Sequence, residues 1–199
     1  MGLPVLQIQP VNQFTQLMSV YGGQMGLWRP SLDAGWFYFG DTCQPDGSSP
    51  ESPGFAVQVE KDDPNNPALM PPVDWTLITS NGEIEFTPGW ANIWYSWLPV
   101  PPQNYVACGH VMTVGPQQTF DPYDPPPTPP FISSLRCLRA DLAKSYNLST
   151  LLWNDSGSGY HPADTALWAI SPLNTFFAWP NYNTPTGTAF VPIQQIPER

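Results

Sequence analysis

Basic residues are scarce in this 199-residue chain, which has six lysines and arginines against sixteen aspartates and glutamates and a formal net charge of −10. Nucleic-acid binding is excluded, because it needs several clustered cations that neutralise phosphates. Docking on anionic lipid needs the same cations and is disfavoured for the same reason. We therefore expect a partner that is neutral or cationic, or one that is bound through aromatic and hydrogen-bonding contacts.

Cysteine and long apolar runs are also scarce. Cys43, Cys108 and Cys137 are odd in number and irregularly spaced, which fits neither a disulfide framework nor a zinc site and predicts buried thiols. No apolar segment reaches the length of a membrane span, and the amino terminus lacks the basic start and apolar core of a signal peptide. These features predict cytoplasmic synthesis without a signal peptide, followed by release or by peripheral attachment to a membrane.

Against these absences, one pattern occurs three times. Each occurrence begins with a tryptophan and a nearby proline and continues into an aromatic run. The tryptophans Trp28, Trp97 and Trp168 lie 69 and 71 residues apart. The aromatic runs end at positions that keep these intervals, namely Gly40, Gly109 and Pro180. Because two landmarks share one period, the chain is predicted to contain three copies of one supersecondary unit.

The unit has the pattern of β-structure, since its aromatic and β-branched runs are separated by proline-containing turns and show no sustained helical spacing. Ser133 to Lys144 fits either a helix or a long strand. Three units that cannot each bury an apolar face should share one core. Propellers need about four blades or more, and β-trefoil units are nearer ~40–50 residues. The sequence predicts an all-β, single-domain, pseudo-threefold β-prism built from three antiparallel sheets.

Proline defines the expected organisation of this one domain. The chain has 27 prolines, and they concentrate in two predicted spacers, which cover residues 48–72 and 121–130. The repeats are accordingly expected at about 5–50, 55–120 and 131–199. Consecutive prolines hold the backbone near polyproline II, so the second spacer is expected to be extended.

The third copy differs from the others in a turn between Trp153 and Asp164. Gly-rich turns are expected in tight hairpins, but Asp155, His161 and Asp164 have no counterpart in the other copies. Tryptophan offers an apolar face to a sugar ring, and Asp or Asn can hydrogen-bond paired hydroxyls. The predicted ligand-binding residues are Trp153, Asn154, Asp155, Ser158, Tyr160, His161 and Asp164.

Two other interpretations of this turn stay open. His161 with Asp155 or Asp164 could serve as a general base for a Ser156 or Ser158 nucleophile, which would make the protein a hydrolase. Alternatively, Asn154, Asp155 and Asp164 carry the oxygen ligands that calcium prefers, whereas an Asx turn would use the same oxygens to cap the backbone. We favour the turn over the ion, and we predict no catalytic residue, no metal and no cofactor.

The remaining aromatic and charged residues divide into packing and surface candidates. The repeated tryptophans are expected in the core, whereas Trp90, Trp94 and Trp179 break the repeat and are candidates for exposed faces. His110 is expected to have a structural role at a strand end. The charged run from Glu60 to Pro64 is expected to be a solvated turn.

The motifs together resemble the vacuolar protein sorting-associated protein 62 family. The resemblance is carried by W-N-D-S-G-S-G from Trp153 followed by A-D-T-A-L-W, by W-R-P…G-W-F-Y-F-G-D from Trp28, and by Y-V-A-C-G-H-V from Tyr105. It covers most of residues 22–179. It implies a β-prism similar to modules of multivesicular-body proteins that target membranes, and to the surface-recognition parts found beside pore-forming toxin domains.

The function expected from these observations is a non-enzymatic recognition module that binds glycans or membrane surfaces. It would be lectin-like, or the recognition component of a pore-forming toxin or trafficking system. The expected partner is a glycan or a lipid headgroup, with a pore-forming protein as a further partner. The alternative is the hydrolase that uses Asp155, His161 and Asp164.

Overall fold

The computed structural model describes residues 4–20, 25–80, 92–116, 129–156 and 164–194. These segments are built of β-strands joined by loops, and their only regular helical elements are two one-turn 3₁₀ helices. All pairings between the strands are antiparallel. The prediction of an all-β fold is therefore confirmed.

Each unit begins with a lead strand, continues into three strands that form a sheet, and ends with a closing strand. The second unit has one additional short strand, β9 (Tyr105–Val106), which pairs with its closing strand. The first unit contains β1 (Val5–Val11), β2 (Phe14–Val20), β3 (Met25–Pro30), β4 (Thr42–Gln44) and β5 (Gly54–Glu60). The second contains β6 (Leu69–Met70), β7 (Asp74–Ser80), β8 (Asn92–Val100), β9 (Tyr105–Val106), β10 (Val111–Pro116) and β11 (Cys137–Arg139). The third contains β12 (Ala143–Tyr146), β13 (Leu151–Asn154), β14 (Ala166–Ile170), β15 (Thr175–Trp179) and β16 (Ala189–Pro192).

The sheets repeat with the units, which confirms the pseudo-threefold β-prism. The three equivalent sheets have the orders β2-β3-β4, β7-β8-β10 and β13-β14-β15. In every unit the lead strand also pairs with the closing strand, as β1 with β5, β6 with β11, and β12 with β16. The segment that could be helix or strand, Ser133 to Lys144, contains β11, a 3₁₀ turn and the start of β12.

Strand register shows which residues of the three units are equivalent. Trp28 pairs with Thr42, Trp97 with Val111, and Trp168 with Phe177. The tryptophan landmark is therefore confirmed. The second landmark is wrong in the third unit, where the equivalent of Gly40 and Gly109 is Thr175 and not Pro180. The reason is that a 3₁₀ turn at Ser171–Leu173 joins β14 directly to β15, so the third connection is shorter.

The two glycines are needed because strands from different units approach one another there. A Cβ on Gly40 would lie 2.9 Å from the carbonyl oxygen of His110, and one on Gly109 would lie 2.9 Å from Thr175 Oγ1. The backbone nitrogen of Asp41 donates to the His110 carbonyl at 2.9 Å, and the backbone nitrogen of His110 donates to the Phe176 carbonyl at 3.0 Å. Backbone hydrogen bonds therefore link the three units directly.

The repeated tryptophans lie in the core, as predicted, and so do the three cysteines, which are all free. Burial raises the pKa of the Cys137 thiol to about 12, so this thiol is protonated at neutral pH. Trp94 was a candidate for an exposed face, and it is fully buried, so this interpretation of Trp94 is wrong. Trp179 is partly buried against the core, and Trp90 lies outside the described residues.

The expected boundary between the first two units is also wrong. Residues 48–72 contain β5 and β6, and β5 pairs with β1 along its whole length. The apolar residues Phe55, Ala56 and Val57 are buried in this strand, because the closing strand of a unit must cover its lead strand. Most of the second predicted spacer, residues 121–128, lies outside the described residues. In the part of the chain that the structure does describe, no helix has the length and apolar character needed to cross a membrane.

Candidate functional site

The turn singled out in the third unit connects β13 to β14, and it corresponds in position to the β2–β3 and β7–β8 connections. The structure describes its two ends, up to Ser156 and from Asp164. The predicted ligand residues Ser158, Tyr160 and His161 lie within residues 157–163, outside the described part of the chain. Of the predicted ligand residues, Trp153, Asn154, Asp155 and Asp164 lie in the described part of the chain.

Trp153 belongs to the core. Its exposed fraction is 9%, and it belongs to a buried cluster that includes Leu167, Phe176 and Ala178. It is inward-facing because β13 is the outer strand of a sheet whose central strand, β14, is buried along its whole length. Trp153 therefore stabilises the pairing of β13 with β14 at the base of the turn by packing into the core.

The side-chain oxygens of Asn154 and Asp155 accept backbone hydrogen bonds at the base of the turn. Asn154 Oδ1 accepts a hydrogen bond from the backbone nitrogen of Ser156 at 3.1 Å, which is the Asx turn expected from the sequence. Asp155 is 4% exposed, and its Oδ1 accepts from the backbone nitrogen of Thr165 at 3.0 Å. The backbone nitrogen of Asp155 donates in return to the Thr165 carbonyl at 3.2 Å.

Asp164 is exposed, and its charge acts together with that of Asp155 on Tyr182, a residue that the sequence did not indicate. Burial, together with the negative charges of Asp155 and Asp164, raises the pKa of the Tyr182 hydroxyl above its usual range. This hydroxyl makes no hydrogen bond of acceptable geometry with a described residue. Tyr182 could not be found from a local motif because it lies in a later loop.

A second candidate site is an open polar cleft of about 600 Å³. It lies where the start of β1 meets the end of β5, the loop before β6 and the 3₁₀ turn after β11. Its lining residues include Glu60, Lys61, Asp62, Asp63, Asn66, Arg139 and Asp141. The sequence indicated a solvated turn at Glu60–Pro64, and the cleft was missed because Arg139 and Asp141 come from a distant segment.

Internal hydrogen bonds hold several of the polar groups that line this cleft. Asp62 Oδ1 accepts from the backbone nitrogen of Ala68 at 2.8 Å, and Asp63 Oδ1 accepts from the backbone nitrogen of Asn65 at 2.9 Å. Two carboxylates are thus fixed by their own backbone, with one oxygen of each used in these bonds.

The basic side of the cleft is fixed as well. Arg139 Nε donates to Asp141 Oδ1 at 2.7 Å, and Arg139 Nη1 donates to the Asn66 carbonyl. The Asp141 side chain is 53% exposed, whereas that of Arg139 is 9% exposed. The cleft therefore presents positioned carboxylates and an amide to solvent, which is chemistry suited to hydroxyl-bearing ligands.

Metal binding finds no support in the segments that the structure describes, since these segments contain no group of three or more His, Cys, Asp or Glu side chains that could hold an ion.

One comparison with known proteins gives the family and another gives the fold. The model of the family described as vacuolar protein sorting-associated protein 62 matches residues 1–193. A crystal structure of GNIP1Aa from Chromobacterium piscinae superposes with a TM-score of 0.69 and 22% sequence identity, covering 92% of this chain and 34% of that chain. This likeness shows the fold, and the chain spans about a third of that protein's length. No curated protein matches the sequence.

Proposed function

Since this chain belongs to the vacuolar protein sorting-associated protein 62 family and has a β-prism fold, we propose that it is a non-enzymatic recognition module that binds glycans. The observation that carries this proposal is the polar cleft beside Arg139, because it is open and its carboxylates are held by backbone and side-chain bonds. Side chains that are already ordered lose little entropy on binding, which favours affinity for flexible, hydroxyl-rich ligands.

The charge of the protein supports a neutral ligand. The cleft contains four carboxylates and two cations, which are Glu60, Asp62, Asp63, Asp141, Lys61 and Arg139, and the chain carries a net charge of −10. Anionic glycans and anionic lipid headgroups would be repelled by this field. Neutral sugar hydroxyls can donate to the carboxylates and accept from the amide of Asn66.

A hydrolase built on Asp155, His161 and Asp164 receives less support. The Asp155 carboxylate is buried and one of its oxygens accepts the Thr165 backbone N–H, so it acts first as a structural group. The third-unit turn, with Asn154, Ser158, Tyr160, His161 and Asp164, remains a second candidate surface for ligand contact. In a larger protein the same module would serve as the recognition component of a toxin or trafficking system, which is part of the proposal.

The test uses two neighbouring asparagines. Asn66 lines the cleft and Asn65 does not, although both are exposed. A glycan array would first identify a bound neutral glycan, and titration calorimetry would then measure its Kd. Asn66→Ala should weaken binding roughly three- to tenfold, the effect of one lost neutral hydrogen bond. Asn65→Ala should leave the Kd unchanged.

Lipid vesicles separate the glycan proposal from the membrane-surface alternative. Vesicles that contain phosphatidylserine should not co-sediment with the protein, because the net charge of −10 opposes association with anionic surfaces. Vesicles of phosphatidylcholine alone should not co-sediment either, because they carry no glycan. Binding to vesicles with no glycan bound on the array would replace the glycan proposal by recognition of a membrane surface. Equal glycan affinity of Asn66→Ala and wild type would remove the cleft as the binding site.

A further inference from the structure

Lys61 differs from the other residues that line the polar cleft because its backbone is left-handed. Its φ is 57°, in a region that is strained for a side chain with a Cβ and unstrained for glycine. The chain reverses here directly after β5, and one oxygen of Asp62 then accepts from the backbone nitrogens of Asp63 at 3.1 Å and Ala68 at 2.8 Å. Backbone strain of this kind is concentrated at functional sites, which makes Lys61 a candidate for a role in binding.

Lys61 is also the cation of the cleft whose charge the protein leaves unpaired. The Arg139 guanidinium donates to both carboxylate oxygens of Asp141, at 2.7 Å and 3.2 Å, and to the carbonyl of Asn66. The Lys61 ammonium, in contrast, forms no ion pair within 4.0 Å with any carboxylate of the described residues. The donors of Arg139 are therefore committed to the fold, whereas those of Lys61 are available to a ligand.

The carboxylates that share the cleft with Lys61 are available in part. Glu60 Oε2 accepts from Gln7 Nε2 at 3.3 Å, and Asp62 and Asp63 each use Oδ1 for backbone nitrogens. The second oxygen of each carboxylate makes no hydrogen bond with a described residue. A hydroxyl group both donates and accepts, so one hydroxyl can join the ammonium to a carboxylate that the ammonium does not reach directly.

We propose that Lys61 contacts the ligand and selects sugars with a free hydroxyl between its ammonium and the carboxylates of the cleft. This hydroxyl accepts from Lys61 Nζ and donates to a carboxylate oxygen. The lysine side chain is exposed and has a flexible four-carbon stem, so its ammonium can adjust to the bound sugar. A deoxy or methylated sugar would lose one or both bonds. The role of Lys61 rests on the proposed binding of glycans at this cleft.

Two variants remove the ammonium and keep the turn, because glycine and asparagine both tolerate a positive φ. Titration calorimetry with the neutral glycan found on the array should give Lys61→Gly and Lys61→Asn a Kd roughly tenfold higher than wild type, the effect of one lost hydrogen bond to a charged group. Lys61→Arg keeps the charge and should stay within a few-fold of wild type.

Lys144→Thr is the matched control. Lys144 is the other lysine of the chain, and it is exposed on β12 and does not line the cleft. Its replacement changes the net charge by the same amount as Lys61→Gly, and the Kd should not change. A similar loss of affinity in both variants would show that the effect comes from overall charge, and this would overturn the role of Lys61.

Monodeoxy analogues of the bound glycan identify the hydroxyl. One analogue should bind wild type roughly tenfold more weakly than the parent glycan. The same deletion should cost Lys61→Gly less affinity, because one partner of the hydroxyl is already absent. If every analogue loses the same factor with both proteins, Lys61 does not bond to a sugar hydroxyl.

Thermal melting separates ligand contact from a structural role. Lys61→Gly should melt at the wild-type temperature or slightly above it, because glycine relieves the left-handed strain. A lower melting temperature together with lower affinity would overturn the proposal, since Lys61 would then act through the fold. Unchanged glycan affinity in Lys61→Gly, with affinity lost in Asn66→Ala, would overturn the role of Lys61 alone. Wild-type protein that binds no glycan would overturn the proposed function as well.

Discussion

Asp41 and His110 occupy equivalent positions, each directly after the glycine at which the units meet, yet their side chains are satisfied to different degrees. Asp41 is fully buried and receives two hydrogen bonds from Arg29 and one from the backbone nitrogen of Met112, each 2.8 Å long. His110 uses one ring nitrogen and leaves the other without a partner. At the same position the third unit has Phe176, which has no polar side-chain atom.

This difference shows what a repeated backbone does and does not determine. Register and the close approach at Gly40 and Gly109 are set by geometry that the units share. The side chain at the next position is free to differ, provided that its polar atoms find partners. Where all of them do, as at Asp41, the group stabilises the fold. Where one does not, as at His110, the buried unpaired group costs stability.

The largest expected effect comes from removing the Asp41 carboxylate, which accepts hydrogen bonds from Arg29 and Met112. Asp41→Ala leaves the Arg29 guanidinium, whose side chain is 25% exposed, without its carboxylate and should lower the free energy of unfolding by about 3–5 kcal/mol. Asp141→Ala is the comparison, because the Asp141 carboxylate is 53% exposed, whereas that of Asp41 is fully buried and also accepts the Met112 backbone N–H, so Asp141→Ala should lose less stability than Asp41→Ala. Urea denaturation measures both. Similar losses in the two variants would show that burial of the Asp41 pair does not matter.

The second expected effect is an acid sensitivity that belongs to His110. Its pKa is lowered to about 3 in the folded protein, so the unfolded chain takes up a proton first as pH falls below about 6.5. Stability from this group is present above that pH and is lost by about 1.4 kcal/mol per pH unit on the way down to pH 3.

Comparison of wild type with His110→Gln isolates this loss, because the titration of all other groups cancels in the difference. The unfolding free energy of wild type should fall roughly 2–3 kcal/mol more than that of the variant between pH 7 and pH 4.5. Parallel pH profiles would mean that His110 is not buried as a neutral ring.

The smallest of these effects concerns the third-unit turn. Asp155→Ala removes the acceptor of the Thr165 backbone N–H and should cost about 1–3 kcal/mol of unfolding free energy, because a buried donor loses its partner. Asp155→Asn keeps an acceptor oxygen and should cost less. Ligand binding by the polar cleft should be unaffected in both. A lost ligand affinity with an unchanged melting temperature would instead make Asp155 a ligand contact.

The sequence predicted the repeat well because the repeated tryptophans are core residues whose packing demands the same local pattern each time. It failed at Pro180 because a shorter turn brought Thr175 into the equivalent position, and local composition does not show the length of a connection. It also failed at Trp94, since an aromatic outside the repeat can still face inward on a strand. Neither the polar cleft nor the environment of His110 could be predicted from the sequence, because each depends on residues from distant segments that only folding brings together.

Measuring the protonation and tautomer of the His110 ring is the most direct test of the contrast between His110 and Asp41. The chain has two histidines, so a His161→Gln variant leaves a single imidazole to observe by ¹⁵N NMR. We expect a neutral ring at both pH 7 and pH 4.5, with the proton on Nε2 and none on Nδ1, and no titration near pH 6.5. A ring that takes up a second proton above pH 5, or one that carries its proton on Nδ1, would contradict this expectation.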